Sequence, residues 1–564
     1  MYTVDSMEKD PRIEEIQNML AYQKSVRAKS DSDRWAAMSY VRHRMPEQST
    51  SSGCPVPSAE DNRLYDDAGV LAFDDFISGF MGSFMSPTED WFMPRLVPKS
   101  YMPSETEPDY GHDYLSSQKE KIKDELKKSN FYEEEALASK DVVAGSYSCT
   151  LFQNDSKSDK VFLKTLEPWC CYFDSDMQGN WNLFMYEYYI NGYELIERFP
   201  DIDKTSTLFR DASIGRTSAV FHMLYVITEN NRLRDNSGQL MRFAKNKKFS
   251  VLEICLSESQ ILYEGGSDYF PVAIHVWEKS GSSQYGIGPV MKHLAEYRKL
   301  NRLGYEYGLS IAKINHHPWL VPDSMMDSFS DDPESRIAYQ TKELIPMPLE
   351  EQQDISRSLE ALDNQRGVIR KQLYNDLFSY LSNTDKVYTA TQVNAVKSES
   401  MSRLSPVFGT IQSQKIEPAL KLVYKIMLDN GRAEIDTRYL GSEADYRMEF
   451  VLDSAMAQQL KNYTQSTSAS LIIESLGALI QLGISSCADN VNTDNLIRGI
   501  MVASGAPASF YVSVQDRDRK RQEQQRLAIQ QMQMQNALTG SEINRNNAGA
   551  ANLNNIAGNN GGMQ

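Results

Sequence analysis

The residues with the most ligand-like spacing lie between two predicted strands. Asp174, Asp176, Gln178 and Gly179 follow the spacing at the start of a calcium-binding loop, in which carboxylate and amide oxygens coordinate the ion. Position twelve of such a loop is Met185, which offers no oxygen where a bidentate glutamate is needed. The sequence therefore predicts a hairpin turn here and no metal site.

No residue pattern typical of a catalytic site occurs in the chain. There is no GxxxxGK[ST] phosphate loop, no HExxH, no GxSxG and no paired Cys/His spacing for zinc. His316 and His317 form the one histidine cluster, and their place at the end of a predicted helix favours capping of its carbonyl groups. We therefore expect no enzyme, no metal and no cofactor. A metal-dependent enzyme assembled from distant carboxylates stays an alternative, which divalent-metal binding would reveal.

Cysteine usage and hydropathy predict a chain that folds in a reducing compartment. Six scattered cysteines include no CxxC pair, and adjacent Cys170 and Cys171 are interpreted as small buried apolar residues, so no disulfide framework is expected. The polar N-terminal residues 1–10 predict no signal peptide. Residues 469–486 are the most apolar stretch, but Glu474 and Gln481 interrupt it, which favours a buried or oligomer-facing helix over a membrane span.

The charge balance argues against a protein that grips nucleic acid with its whole surface. With 59 basic and 76 acidic residues the net charge is −17, whereas tight nucleic-acid binders carry a basic surface. An acidic chain can still surround DNA without holding it, because like charges keep the phosphates mobile.

Two long predicted helices between residues 288 and 382 organise the chain. The first opens at Gly288–Pro289, with proline where its missing N–H is no loss, and stops before Pro318. The second follows Pro348. Each has an apolar stripe and, at 1.5 Å per residue, a length of roughly 45 Å. We expect an antiparallel hairpin that packs either on its own body or beside copies of itself in a ring. The residues proposed for subunit packing are Leu294, Tyr297, Ile311, Leu359 and Leu373.

The remaining segments predict an α+β protein. Alternating apolar residues indicate an antiparallel sheet or small barrel before the hairpin and two further strands after it. The strands are predicted at 146–153, 161–166, 170–174, 181–190, 218–228, 249–256, 272–278, 433–439 and 445–452. Helices are predicted as a pair over 13–45, as single helices at 63–85 and 114–137, in a region over 454–504, and at 515–535. The Asn/Gly-rich residues 536–564 are predicted to be disordered.

Three blocks in order carry a family resemblance. Residues 63–92 contain SGFMGSFMSP and then Trp91–Phe92; residues 285–322 contain the Gly-Pro helix start and end in PWLVP; residues 389–431 begin TATQV and continue as a long helix. Across residues 60–450 their order and spacing resemble the portal, or head-to-tail connecting, proteins of short-tailed bacteriophages. Pro406 and Pro418 are expected to bend the long helix.

The resemblance implies an elongated α+β protomer in a ring, usually of twelve subunits, at one capsid vertex of the virion. Double-stranded DNA would enter and leave through its channel. The implied partners are the terminase large subunit as motor, the major capsid protein and a tail adaptor protein, with assembly in the host cytoplasm and no membrane. The implied divisions are an N-terminal arm and linker (1–60), wing (61–287), first stem helix (288–317), clip (318–349), second stem helix (350–382), tunnel loop (383–388), spine helix and wing strands (389–452), crown and C-terminal helix (453–535) and disordered tail (536–564).

The resemblance also implies three kinds of contact site. The tunnel loop facing DNA in the channel would contain Asn383, Thr384, Asp385 and Lys386. The clip surface that docks the motor and then the adaptor would contain Phe329, Asp331, Asp332, Glu334 and Arg336. Arg517, Arg519, Lys520 and Arg521 would line the inner mouth of the channel or form a solvated helix face. The alternative is another oligomeric virion scaffold or tail adaptor without an open DNA channel.

Overall fold

The chain forms two compact units, Met1–Leu460 and Lys461–Gln564. The computed structural model describes residues 11–42, 63–98, 111–155, 158–229, 247–281, 283–315, 319–327, 329, 346–348, 355–375, 409–435, 446–453, 519–534, 541 and 546–548.

Helices and strands alternate irregularly along the first unit, as the α+β class predicts. The helices are α1 (Pro11–Val41), α2 (Ala68–Phe84), α3 (Gly111–Lys128), α4 (Phe131–Gly145), α5 (Gly192–Arg198), α6 (Thr207–Ile214), α7 (Pro289–Lys292), α8 (Leu294–Asn315), α9 (Ile355–Gln372) and α10 (Glu417–Asp429). The strands are β1 (Phe92–Pro98), β2 (Tyr147–Asp155), β3 (Lys160–Leu166), β4 (Cys171–Ser175), β5 (Trp181–Asn191), β6 (Val220–Glu229), β7 (Phe249–Cys255), β8 (Gln260–Ser267), β9 (Val272–Val276), β10 (Glu278–Ser280), β11 (Ser283–Ile287), β12 (Trp319–Leu320), β13 (Met347–Pro348) and β14 (Tyr446–Leu452).

Antiparallel sheets form the α+β body. The larger has the order β4-β5-β6-β7-β8 and the smaller the order β3-β2-β9. Strand β14 pairs with β1, which joins the chain after the hairpin to a strand far before it. The predicted turn is present, since Asp176 N donates to Asn180 O at 2.9 Å and Gly179 takes a positive φ of 86°. Strand β8 was not predicted, because its side chains are half-exposed or exposed and it contains two glycines.

Helix α1 is a single helix of 31 residues, so the predicted helix pair is wrong. Its N-terminal half crosses the larger sheet and buries Ile13, Ile16 and Leu20 against the strands. Two ion pairs extend this contact, from Lys24 to Glu187 at 2.7 Å and from Arg12 to Glu264 at 3.3 Å. The helix therefore belongs to the core of the body along its length.

The helix predicted over 114–137 is divided by Asn130 into α3 and α4. The Asn130 amide bonds both backbone groups of Leu163, with distances of 2.9 Å to the nitrogen and 2.7 Å to the oxygen. Glu125 and Glu134 accept hydrogen bonds from the next alternate amides of β3, at Val161 and Thr165. The side chains of Glu125, Asn130 and Glu134 thus bond the backbone groups along the edge of β3, as a neighbouring strand would. The break between α3 and α4 positions Asn130 for this contact.

Helix α2 is packed as tightly as its sequence predicts. Successive rings of Phe76, Phe80 and Phe84 lie one helical turn apart, with centroid separations of 6.1 and 5.1 Å. All three side chains are buried in the main hydrophobic cluster, together with Ala72 and Phe73. This helix forms a fixed surface for the elements that follow.

Cys170 and Cys171 are buried, as predicted. Cys149, Cys171 and Cys255 are free and buried. Cys170 is disulfide-bonded, which contradicts the expectation of a chain without disulfides.

The long helix that carries Pro418 contains a π-helical turn, Ile411–Ile416, directly before α10. Proline provides no N–H for the carbonyl of Gln414 and its ring crowds that group, so the turn widens before it. Pro406 and the expected start of this helix lie outside the described residues.

In the second unit, residues 519–534 are helical and their side chains are exposed. Among the described helices of both units, none combines the length and the apolarity that crossing a lipid bilayer requires.

Candidate functional site: the helical hairpin

The hairpin begins where the sequence predicts, at Gly288 and Pro289. Gly288 caps α7 and Pro289 occupies its first turn. A Cβ atom on Gly288 would lie 2.9 Å from the backbone nitrogen of Ser146, so only glycine permits this close approach to the body. The predicted single helix is nevertheless interrupted at His293, whose φ and ψ of −110° and 20° separate α7 from α8.

Helices α8 and α9 form the two arms of the hairpin. They pack against each other, and Gln365 Nε2 donates to the carboxylate of Glu296 at 2.7 Å. Strand β12, which follows α8, pairs antiparallel with β13, which precedes α9. The described α8 has 22 residues, a length of roughly 33 Å. Helix α9 ends at Gln372, earlier than predicted, and Tyr374 takes a positive φ of 56° just beyond it.

One end of the hairpin, which we call the root, is bonded to the residues around the start of α2. Arg366 donates to Asp66 Oδ2 from Nε at 3.0 Å and from Nη2 at 2.8 Å, and the Asp66 side chain is only 2% exposed. Asn301 accepts from Tyr65 N at 2.7 Å and donates to Arg63 O at 2.9 Å. These bonds fix both arms to the body.

Apolar residues are also buried at the root of the hairpin and more exposed at its other end. The buried members of the root stripe are Leu294, Tyr297, Leu300, Leu362, Ile369 and Leu373, all within the main hydrophobic cluster of the chain. Beyond Asn301 burial decreases, and Leu303 and Tyr307 are only half-buried against the main cluster. The other end of the hairpin, the tip, exposes Tyr305 (44%), Leu309 (43%), Ile311 (36%), Ile314 (36%) and Leu359 (38%).

This boundary corrects part of the predicted packing surface. The side chains of Leu294, Tyr297 and Leu373 are covered by their own chain, with exposed fractions of 6%, 2% and 1%, so they offer nothing to a neighbouring subunit. Ile311 and Leu359 remain exposed, and their role in subunit packing stays a prediction. Sequence reasoning did not single out Tyr305 and Leu309, which are exposed on another face of α8, since Leu309 is about 200° around the helix from Ile311.

Aromatic and apolar side chains continue beyond the tip. Trp319 lies against Phe329 with ring centroids 5.5 Å apart, and Leu320 and Met326 are strongly exposed. The other predicted clip residues, Asp331, Asp332, Glu334 and Arg336, lie outside the described residues, as do the tunnel-loop residues Asn383, Thr384, Asp385 and Lys386. Arg519, Lys520 and Arg521 are on the exposed helix of the second unit, and Arg517 lies outside the described residues.

Two buried carboxylates of the body have pKa values shifted in opposite directions. Burial raises the pKa of Asp141 to about 6, although the adjacent Arg42 guanidinium opposes this shift. Burial also acts to raise the pKa of Glu187, but hydrogen bonds from His222 and Lys24 prevail and lower it to about 2. At neutral pH the charged Glu187 therefore stabilises the fold, whereas burial of Asp141 disfavours its charged form. Both residues lie in the body and not at the tip.

The body contains a cleft of about 380 Å³, where a catalytic site would be sought. Its tyrosines are engaged with acidic neighbours: Tyr186 donates to Glu167 at 2.6 Å and Tyr188 to Glu253 at 2.8 Å. Arg198 also binds Glu253, at 2.9 Å. Within the described ranges, no three His, Cys, Asp or Glu side chains are grouped to hold a metal ion. The hydroxyl groups of these tyrosines and the Arg198 guanidinium are thus bonded to carboxylates of the body.

The calcium-like sequence is likewise occupied by local bonds. Asp174 Oδ1 accepts from Ser175 N at 3.0 Å and from Gln284 Nε2 at 2.5 Å. Asp176 accepts from the backbone and side chain of Asn180 at 2.8 and 3.0 Å. Both carboxylates therefore shape the turn and its contact with β11.

A sheet-bearing body thus fixes one end of a helical hairpin, whose other end exposes large apolar side chains. The family model for bacteriophage head to tail connecting proteins matches residues 14–512, and the chain belongs to that family. A search of curated proteins finds no match. Membership places the protein in the phage virion at the junction of head and tail, in association with both.

Proposed function

We propose that the protein is the portal subunit of the phage: it forms a ring at one capsid vertex, and double-stranded DNA passes through the central channel during packaging and ejection. The observation that supports this proposal is the contrast within the hairpin. The root stripe is buried in the chain, whereas the tip exposes Ile311 and Ile314 on one face of α8, Tyr305 and Leu309 on another, and Leu359 on α9. Large exposed apolar side chains grouped at one end of an element mark protein interaction sites, and a subunit in a ring needs two such surfaces, one for each neighbour.

The occupant of the tip is a second copy of the chain. The exposed apolar residues lie on more than one face of the hairpin and the root is held by its own chain, so each hairpin can contact a neighbour on either side without disturbing its body. A head-to-tail contact of this kind closes into a ring when the rotation between subunits is a fraction of a full turn. Twelve subunits is the number that the family resemblance favours.

The charge of the chain suits a channel that does not retain DNA. A net charge of −17 repels phosphate overall, while a lysine such as Lys386, repeated once per subunit, would give weak and salt-screened contacts. The region around Phe329 would dock the terminase motor and later the tail adaptor. The chemical energy for packaging would come from that separate motor.

The oligomeric state tests the proposed interface. The double variant Leu309→Asp, Ile314→Asp places charges on the tip, and Ile214→Asp is the matched control, because Ile214 is even more exposed (80%) but lies on the body at the end of α6. Mass photometry and negative-stain microscopy should show rings for the parent and the control and subunits for the tip variant. Rings that persist in the tip variant would contradict the assigned interface.

The channel itself is tested in the same images and in assembled particles. A central opening wide enough for duplex DNA supports the portal assignment, whereas closed rings support a virion scaffold or adaptor without a channel. Replacing Lys386 with Glu should leave rings intact and reduce the DNA retained per head, measured by nuclease protection. Normal packaging and retention in that variant would remove the tunnel-loop assignment.

A further inference from the structure

Helix α2 has a stripe of exposed residues on the side that faces away from the main hydrophobic cluster. Leu71 lies within this stripe and is 55% exposed. The aspartates Asp67, Asp74 and Asp75 are also exposed, and together with Leu71 they lie within an arc of about 100° around the helix. We call these four residues the acidic face of α2.

Helix formation explains only one of the three aspartates. A carboxylate at a helix N-terminus interacts favourably with the helix dipole, which accounts for Asp67. Asp74 and Asp75 lie in the middle of α2, where aspartate is a poor helix former. Lys140 pairs with Asp74 at 3.6 Å, but the two side chains are 41% and 56% exposed, so water screens the pair. The face therefore remains negatively charged around an exposed leucine.

The outer side of α8 has the opposite charge. Leu309, which is 43% exposed, and the exposed cations of this helix share an arc of about 100° with one carboxylate, Glu306. The cations are Arg298, Lys299, Arg302 and Lys313. We call these cations and Leu309 the basic face of α8. Four positive charges and one negative charge make this face positive around an exposed leucine, the complement of the acidic face of α2.

The two faces lie on opposite sides of the chain. Helices α2 and α8 pack against each other at Gly69, where a Cβ atom would lie 3.1 Å from the ring of Tyr297 and 4.0 Å from Leu300. Leu71 is about 200° around α2 from Gly69, and Arg302 is about 200° around α8 from Leu300. Each charged face is therefore on the far side of its helix from this contact, so one chain cannot bring its own two faces together.

We propose that the acidic face of α2 is the docking surface for the basic face of α8 of a second copy of the chain. Leu71 of one subunit would pack beside Leu309 of the next, with the aspartates opposite the arginines and lysines. Such charge complementarity favours the correct partner and register and speeds the encounter. Two different surfaces on opposite sides of a subunit make a head-to-tail contact, the kind that closes into rings. The inference rests on the ring proposed above and identifies the surface that receives α8.

Reversing the charge of each face tests the contact. One variant carries Asp74→Lys and Asp75→Lys, and the other carries Arg298→Glu and Arg302→Glu. Each reversal sets like charges against each other, so we expect the fraction of chains in rings to fall at least tenfold at about 0.1 M salt, measured by mass photometry. The control Glu120→Lys, Asp124→Lys makes the same change of charge at exposed positions of α3 and should form rings as the parent does.

Mixing the two reversed variants gives the decisive result. Each variant offers the face that the other needs, so in an equal mixture they should alternate around a ring and recover at least half of the parent's rings. Recovery would also show that both variants are folded. A single chain with all four substitutions should assemble for the same reason, because its two faces have exchanged their charges.

Rings in either reversed variant alone would overturn the proposal. So would two variants that are folded by circular dichroism but fail to assemble when mixed, and if either variant is unfolded, the chain with all four substitutions decides. These results are distinct from failure of the ring itself, in which the parent and the α3 control would also give no rings.

Discussion

The root and the tip of the hairpin share one sequence pattern but have different environments. In α8 the apolar residues recur at helical spacing from Leu294 to Ile314. The first three are buried, Tyr307 is half-buried against the main cluster, and Ile311 and Ile314 are exposed. The difference begins at Asn301, where the bonds to Arg63 and Tyr65 end. Burial in the chain makes the root a determinant of folding. Exposure leaves the tip available for assembly, so the two ends should respond differently to the same substitution.

The largest expected effect comes from a matched pair of truncations in α9. Ile369 is fully buried at the root, so Ile369→Ala removes buried methylene groups and leaves a cavity, lowering the free energy of unfolding by about 2–5 kcal/mol. Leu359→Ala, at the tip, should change it by less than about 0.5 kcal/mol. Urea unfolding of the unassembled protein measures both. Equal losses would show that the tip is also covered in the free chain.

The second prediction concerns the pH dependence of stability that Asp141, a residue of the body, produces. The pKa of Asp141 is raised from 3.8 to about 6 in the folded chain, so folding takes up a proton between these pH values. Stability from this group therefore rises as the pH falls from 6 to 4 and is lost as the pH rises through that window, by roughly 3 kcal/mol in total. Asp141→Asn should remove this dependence while leaving ring formation at pH 7 intact.

The measurement is the difference in unfolding free energy between the parent and Asp141→Asn from pH 4 to pH 7. The parent should gain most, relative to the variant, at pH 4. Glu133→Gln, an exposed carboxylate on the same helix, is the control. A difference in unfolding free energy that does not change with pH would contradict the raised pKa of Asp141. Loss of rings in Asp141→Asn at pH 7 would contradict the expectation that this residue affects folding and not assembly.

Sequence periodicity predicted elements that depend on local pattern. The strands around Tyr147–Asp155 and Trp181–Asn191 alternate clearly, and Pro289 marks the start of the hairpin; all three are found. Such elements are encoded by neighbouring residues, through side-chain alternation and the missing N–H of proline. The class of the fold and its family could therefore be inferred before the structure.

The features that could not be predicted from the sequence depend on contacts between residues that are distant along the chain. Periodicity cannot distinguish Tyr297 from Ile311, because burial is decided by Gly69 and its neighbours on α2, where a Cβ atom would lie 3.1 Å from the Tyr297 ring. The break at Asn130 likewise serves the edge of a strand 33 residues away. Three of the five residues predicted for subunit packing, Leu294, Tyr297 and Leu373, are thus buried in their own chain, and contact of Ile311 and Leu359 with a neighbouring subunit stays a prediction.

The smallest expected effects come from two arginines that bind carboxylates in different surroundings. At the root, Arg366 is the ion-pair partner of buried Asp66, so Arg366→Gln leaves a desolvated carboxylate with poorer partners and should cost about 1–2 kcal/mol. On the part of α8 nearer the tip, Arg302 pairs with Glu306 at 2.8 Å, but its side chain is 80% exposed. Water screens that pair, so Arg302→Gln should cost less than about 0.5 kcal/mol.

Thermal unfolding at low and high salt separates the two arginine effects. The small loss in Arg302→Gln should vanish in 1 M salt, because screening weakens the exposed pair. The loss in Arg366→Gln should persist, since the cost lies in a carboxylate that water and ions do not reach. If both losses disappeared in salt, the Asp66 carboxylate would be solvated, and the root would be held by apolar packing and by Asn301 instead of by this ion pair.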